Sequence, residues 1–147
     1  FDEPRTLRVG SSVLVFTLIL LLLLLSASIS VATITVSESK GASALSRSTA
    51  AFQVADSGME VVLERIYSGN YDTQSINSMK PSGSTCSAGA ISDALASGTY
   101  VVILFDSNGV PINNCSSTTW RTDAESIQST GSYAGTQRAV KVDLDPS

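Results

Sequence analysis

Two cysteines, no histidine and three carboxylates at four-residue spacing are most of what this 147-residue chain offers to chemistry. Cys86 and Cys115 lack the further ligands that a zinc site requires, and histidine is absent as a donor. A nucleophilic cysteine would need a neighbouring base, which the missing histidine also removes. Pairing with each other is the reading left. In an oxidising compartment the bond closes a loop of about 29 residues and stabilises the fold by roughly 3–4 kcal/mol in the chain-entropy model. Asp56, Glu60 and Glu64 fall on one face of a helix, where they repel slightly. Paired carboxylates can do acid–base work, but no pocket signal accompanies these, and they read as a solvated surface. Asp106-Ser107-Asn108-Gly109 is turn chemistry, too short for a calcium loop of EF-hand type. Asn114-Cys115-Ser116 matches a glycosylation sequon with a cysteine at its centre. There is no glycine-rich phosphate loop, metal constellation or Ser/His arrangement, so neither enzyme activity nor a cofactor is expected.

The charge balance narrows the partners. Nine Lys and Arg stand against 13 Asp and Glu, a net charge of −4, and no basic cluster exists. A polyanion binder needs such a cluster, so nucleic acid is not expected as the main partner. Ser and Thr fill 39 positions, a composition suited to a solvated, O-glycosylated surface.

The compartment follows from one segment. No charged residue lies between Arg8 and Glu38. Val13 to Val36 is 24 residues, roughly 36 Å as a helix and enough to cross a hydrocarbon core of about 30 Å. A buried core helix is the alternative, but so small a head cannot cover LILLLLLL on every side. A cleavable secretory signal competes more seriously, with Arg5 and Arg8 as its basic region and Ser26-Ala27-Ser28 as its cleavage site. Against it, the apolar pattern continues unbroken through Ile29, Val31, Ile34 and Val36. Asp2 and Glu3 offset the two arginines, leaving a modest orientation signal. Ser26–Ser37 alternates hydroxyl and β-branched residues, poor helix formers in water, so this part would be helical in lipid and loosen on leaving it.

From Lys40 the pattern turns amphipathic. Leu45, Phe52, Met59 and Ile66 recur every seven residues, with Ala55 and Val62 between them, which predicts a helix ending near Gly69-Asn70. Ala51, Ala55, Gly58 and Val62 make a parallel stripe of small residues that would let another backbone come close. Gly58 costs about 1 kcal/mol against alanine in a helix interior, and close packing would offset it. The plain alternative is an ordinary amphipathic helix that tolerates one glycine.

The remaining chain reads as a small sheet. Residues 70–98 are polar and irregular, with 91–97 (ISDALAS) predicted as a short helical turn. TYVVILF (99–105) is expected to be a strand buried on both faces. TWRTDAESI (119–127) and RAVKVDL (138–144) alternate as half-buried strands, with STGSYAG (129–135) turning the chain between them. Three antiparallel strands need a further layer, and the heptad face of the long helix is the candidate. The expected fold class is α+β: a long N-terminal helix, hydrophobic then amphipathic, packed on a small C-terminal antiparallel sheet. The divisions are a polar leader (1–10), a hydrophobic helix (11–37), its amphipathic continuation (38–69) and a disulfide-tied head (70–147).

This order of parts resembles the type IV pilins and pseudopilins. The most specific stretch is AFQVADSGMEVVLERI (51–66), similar to an ADSG-(I/M)-E helix segment of bacterial pilin-like proteins. SIQSTGSYAGTQRAVKV (126–142) resembles the final hairpin of the same group. The resemblance implies cleavage by a prepilin peptidase after a glycine ahead of the hydrophobic segment, and Gly10 followed by Ser11 fits. Ser11 to Tyr67 is 57 residues, about 85 Å of helix. Major subunits of the family usually begin with phenylalanine and carry a glutamate five residues in; here Ser11 and Val15 hold those places. That glutamate offsets a neighbour's buried ammonium, which is expensive unpaired, so Val15 points to a minor or initiating subunit. Alternatively Phe1 is the mature N-terminus, with Asp2 or Glu3 as countercharge.

The resemblance implies a filament subunit, held in the inner membrane before assembly and then part of an extracellular filament on the cell surface. Its partners would be copies of itself, other pilins, the prepilin peptidase and the assembly machinery. Val13, Phe16, Leu20, Leu24 and Val31 would face neighbouring helices in the filament core. Leu45, Phe52, Ala55, Gly58, Met59, Val62 and Ile66 would receive the head's sheet. The alternatives are a minor or tip subunit with an adhesive or initiating role, and a signal-anchored periplasmic binding domain that does not polymerise.

Overall fold

The computed structural model describes residues 7–144, with side chains from Ser12 onward. Helix α1 runs over Leu7–Tyr67, 61 residues without a break. No proline interrupts it, and leucine-rich sequence favours helix. It stops where Gly69 adopts φ +68°, a backbone conformation that glycine enters without a Cβ penalty. Helical backbone already begins at Leu7, inside the stretch read as a polar leader. Gly10 and Ser11 lie in these first turns, while Phe1 falls outside the described residues.

The chain divides into two compact units, Phe1–Ser43 and Ala44–Ser147. The division falls six residues beyond Ser37, where the continuous uncharged run ends, so the first unit also takes in Glu38 and Lys40. Within that unit the described side chains, Ser12 to Ser43, are all exposed.

The second unit is the head. After α1 come a short helix α2 (Ile76–Met79), strands β1 (Thr85–Ser87), β2 (Ala90–Leu95) and β3 (Gly98–Asp106), a one-turn helix α3 (Trp120–Asp123), and strands β4 (Ala124–Tyr133) and β5 (Thr136–Asp143). The strands form one antiparallel meander in the order β1-β2-β3-β4-β5. The α+β arrangement is thus a long helix packed on a five-stranded sheet. The β1–β2 and β4–β5 hairpins close through two-residue turns, Ala88-Gly89 and Ala134-Gly135, with positive φ at both positions, as turns matched to strand twist require.

Several segments differ from the sequence reading. Residues within ISDALAS form β2 rather than a helical turn, because the ladder with β3 satisfies their backbone on one side and β1 on the other. The 70–98 stretch therefore supplies two strands. TYVVILF is not buried on both faces: Tyr100, Val102 and Leu104 are buried, while Val101, Ile103 and Phe105 are half-buried. Among the described residues the helices pack on the sheet face that carries Tyr100, Val102 and Leu104. TWRTDAESI splits into α3 and the start of β4, and β4 carries on through 129–133, so the turn is confined to Ala134-Gly135. A bulge at Glu125, where Phe105 pairs with Ser126 and Asp106 with Ala124, eases the change from helix to strand.

The core lies between α1 and the sheet. Val54, Met59, Val62 and Ile66 of α1 meet Tyr100, Val102, Leu104 and Ile127, with Ile76, Met79 and Trp120 closing one end. The Trp120 indole is fully buried and donates Nε1–H to the Gln74 carbonyl at 2.8 Å. This satisfies the single polar atom of a large apolar side chain.

Candidate functional site

Among the described residues no group of three or more Asp, Glu, His or Cys side chains stands close enough to hold a metal ion. Asp56, Glu60 and Glu64 are exposed on α1. The Asp106 carboxylate serves its own turn: Oδ1 accepts the backbone N–H groups of Asn108 and Val110 at 2.9 and 2.8 Å. Such an Asx arrangement fixes a turn and leaves the oxygen committed. Asn114 Oδ1 likewise accepts the Ser116 N–H at 2.9 Å.

The surfaces that stand out are apolar. One helix near the N-terminus is long and apolar enough to span a membrane. Val13, Phe16, Leu20, Leu24 and Val31 lie on it, each with between 43 % and 64 % of its surface accessible. Hydroxyl groups within this segment hydrogen-bond to their own helix. Thr17, Ser28, Ser30, Thr33 and Thr35 donate to carbonyls three or four residues back at 2.8–3.0 Å. The donors of these side chains are satisfied within the helix, which would remove most of the penalty of placing them in hydrocarbon.

The second candidate surface is the seam between α1 and the sheet. Ala51, Ala55, Gly58 and Val62 face β3 and β4 and are buried. The Tyr100 ring lies against Gly58 so closely that a Cβ there would stand 2.6 Å from its Cγ and Cδ2, and 2.9 Å from Ser129 Oγ. Opposite, a Cβ at Gly131 would overlap the backbone of Ala51 and Ala55. The small stripe is thus a place where helix and strand backbones approach each other, and its occupant is the chain's own sheet. Glycine on both partners permits this approach.

Two residues expected in the seam are outside it. Leu45 is 69 % exposed and Phe52 50 % exposed, whereas Met59 and Ile66 of the same seven-residue series are 2 % and 1 % exposed. Val54, which the series omits, is buried beside the β2–β3 hairpin. The flank near Leu45 and Phe52 is held by polar contact instead, Arg138 Nε donating to Ser48 Oγ at 2.7 Å. The seam also contains one orphan: among the described residues, the buried Ser129 hydroxyl has no hydrogen-bond partner. Burial pushes the Tyr100 hydroxyl above its ordinary pKa of 10.0, Asp93 adds to the rise, and Arg65 opposes it.

Cys86 and Cys115 are joined, with Cα atoms 6.0 Å apart. The bond links β1 to the loop that follows β3. Backbone contacts reinforce it: Gly89 N–H donates to Cys115 Sγ at 3.3 Å and Asn77 N–H to the Cys115 carbonyl at 2.9 Å. The irregular 107–119 loop is in this way held at both the strand hairpin and α2. No family model matches this chain, and neither a curated protein nor a solved structure matches it.

Proposed function

We propose that this chain is a structural subunit of a type IV pilus-like filament, anchored in the inner membrane and assembling through its N-terminal helix. The observation that carries the proposal is the 24-residue uncharged stretch Val13–Val36, on a helix whose described side chains up to Ser43 are all exposed. Roughly 0.8 kcal/mol per CH₂ is at stake when such side chains leave water. Lipid before assembly and neighbouring helices afterwards both supply the required cover. Support also comes from the ADSG-containing helix segment and from a disulfide-tied head suited to an oxidising compartment. Association is the chemistry, and it calls for no catalytic group.

Two measurements test this reading. Mass spectrometry of the mature N-terminus should give Ser11, and a start near Ile29 would mean a cleaved secretory signal instead. Electron microscopy of the purified protein should show filaments when it is expressed with an assembly system. Val15, at the position where the family's major subunits carry glutamate, favours a minor or initiating subunit as the second reading. A minor subunit would enter filaments only when a major subunit is co-expressed.

A further inference from the structure

We infer that α1 opens locally between Glu38 and Arg47, a stretch that is helical but weakly held. Every residue of this stretch is exposed, and Ala51 is the first of α1 to be fully buried. Most helical stability in proteins comes from tertiary packing of one face, and here no face is packed. Gly41 sits in the middle. A Cβ at Gly41 would meet nothing within 4 Å, whereas one at Gly58 would strike Tyr100. The two interior glycines of α1 thus have opposite meanings: packing requires the one at 58, while at 41 the helix is weakened with nothing to offset the loss.

Ala42, Ala44 and Leu45 favour helix, so the weakness rests on Gly41 and the serines around it. Ser39, Ser43 and Ser46 are mediocre helix formers. Ser43 Oγ donates to the Lys40 carbonyl at 3.0 Å, a back-bond that slightly destabilises and bends helices. Glu38 and Lys40 are two residues apart and point to different sides. Among the described residues the one ion pair is Arg121–Asp72, in the head. The boundary between the two compact units also falls here, between Ser43 and Ala44.

Opening an internal stretch creates a second helix nucleus, which alone protects amides by about 10³-fold. Gly41 and the three serines in the opened stretch lower that to about 10²-fold. Amides of Val54–Ile66 exchange only when the sheet releases the helix, which implies protection of about 10⁴-fold or more.

Amide hydrogen exchange of the full chain in lipid nanodiscs, at one copy per disc, tests the inference. Peptides covering 38–47 should exchange at least about tenfold faster than those covering 54–66. Gly41→Ala should slow the former about fivefold and leave the latter unchanged. Equal protection of the two stretches would overturn the inference, and so would fast exchange at 38–47 that Gly41→Ala does not alter. The inference does not depend on filament assembly, because a single copy in a disc reports it.

Discussion

Two glycines of this chain differ in what a methyl group would meet, and that difference ranks their variants. At Gly131 the added Cβ strikes the backbone of Ala51 and Ala55, which cannot move without shifting α1. Gly131→Ala should therefore destabilise the head by about 3 kcal/mol. Gly58→Ala strikes a ring and a hydroxyl, recovers about 1 kcal/mol of helix propensity, and should lose about 1–2 kcal/mol net. Urea titration should place Gly131→Ala below Gly58→Ala, and both below wild type; a Gly131→Ala variant of unchanged midpoint would refute the close approach. Ser129 gives the opposite expectation. Its buried hydroxyl is unpaired, so Ser129→Ala should be neutral or stabilising by up to about 1 kcal/mol in the same titration. Tyr100 brings a pH dependence. Its folded pKa lies above the unfolded value of 10.0, because burial and Asp93 disfavour the phenolate. The folded state thus holds the proton more tightly. The stabilisation is complete below pH 10 and is lost as pH rises from there through the folded pKa. Tyr100→Phe should remove that alkaline component from a stability–pH profile.

At the scale of elements, the long helix was legible in the sequence while part of its buried face was not. A seven-residue repeat on a helix of 3.6 residues per turn drifts by about 20° per repeat. Starting from the buried Ile66 and Met59, the series has rotated toward solvent by Phe52 and further by Leu45, matching their exposure. The small residues Ala51, Ala55, Gly58 and Val62 advance by four, three and four, stay in phase with the helix, and are buried. Strand β2 was illegible for another reason. Its Ala-, Leu- and Asp-containing sequence has little strand preference, and its conformation comes from pairing with β3 and β1. The Trp120 segment alternated like a strand, yet its first four residues turn to bury the indole. The disulfide, by contrast, followed from residue types alone. It links β1 to a loop with no regular structure of its own, so Cys86→Ser with Cys115→Ser should cost about 2–5 kcal/mol in thermal or urea unfolding. An unchanged midpoint would mean that the contacts of α2 and Gly89 suffice to hold the loop.

For the whole molecule, the apolar half of α1 is long and apolar enough to span a membrane. Leu22, at 57 % exposure, lies close to the middle of Val13–Val36. An arginine at the centre of a spanning helix raises the insertion free energy by about 3 kcal/mol relative to apolar residues. Leu22→Arg should therefore shift the protein from a carbonate-resistant membrane pellet toward the extractable fraction; full retention in the pellet would count against a spanning helix. Head and apolar helix can be followed separately, because the chain contains one tryptophan and it is Trp120. Its indole is sealed in the head's core and tied to the Gln74 carbonyl. Intrinsic fluorescence excited at the indole band is consequently blind to the apolar half of α1. A red shift in emission marks the moment when water reaches the space between α1, α2 and the sheet, whether the chain sits in detergent, in lipid or among its neighbours.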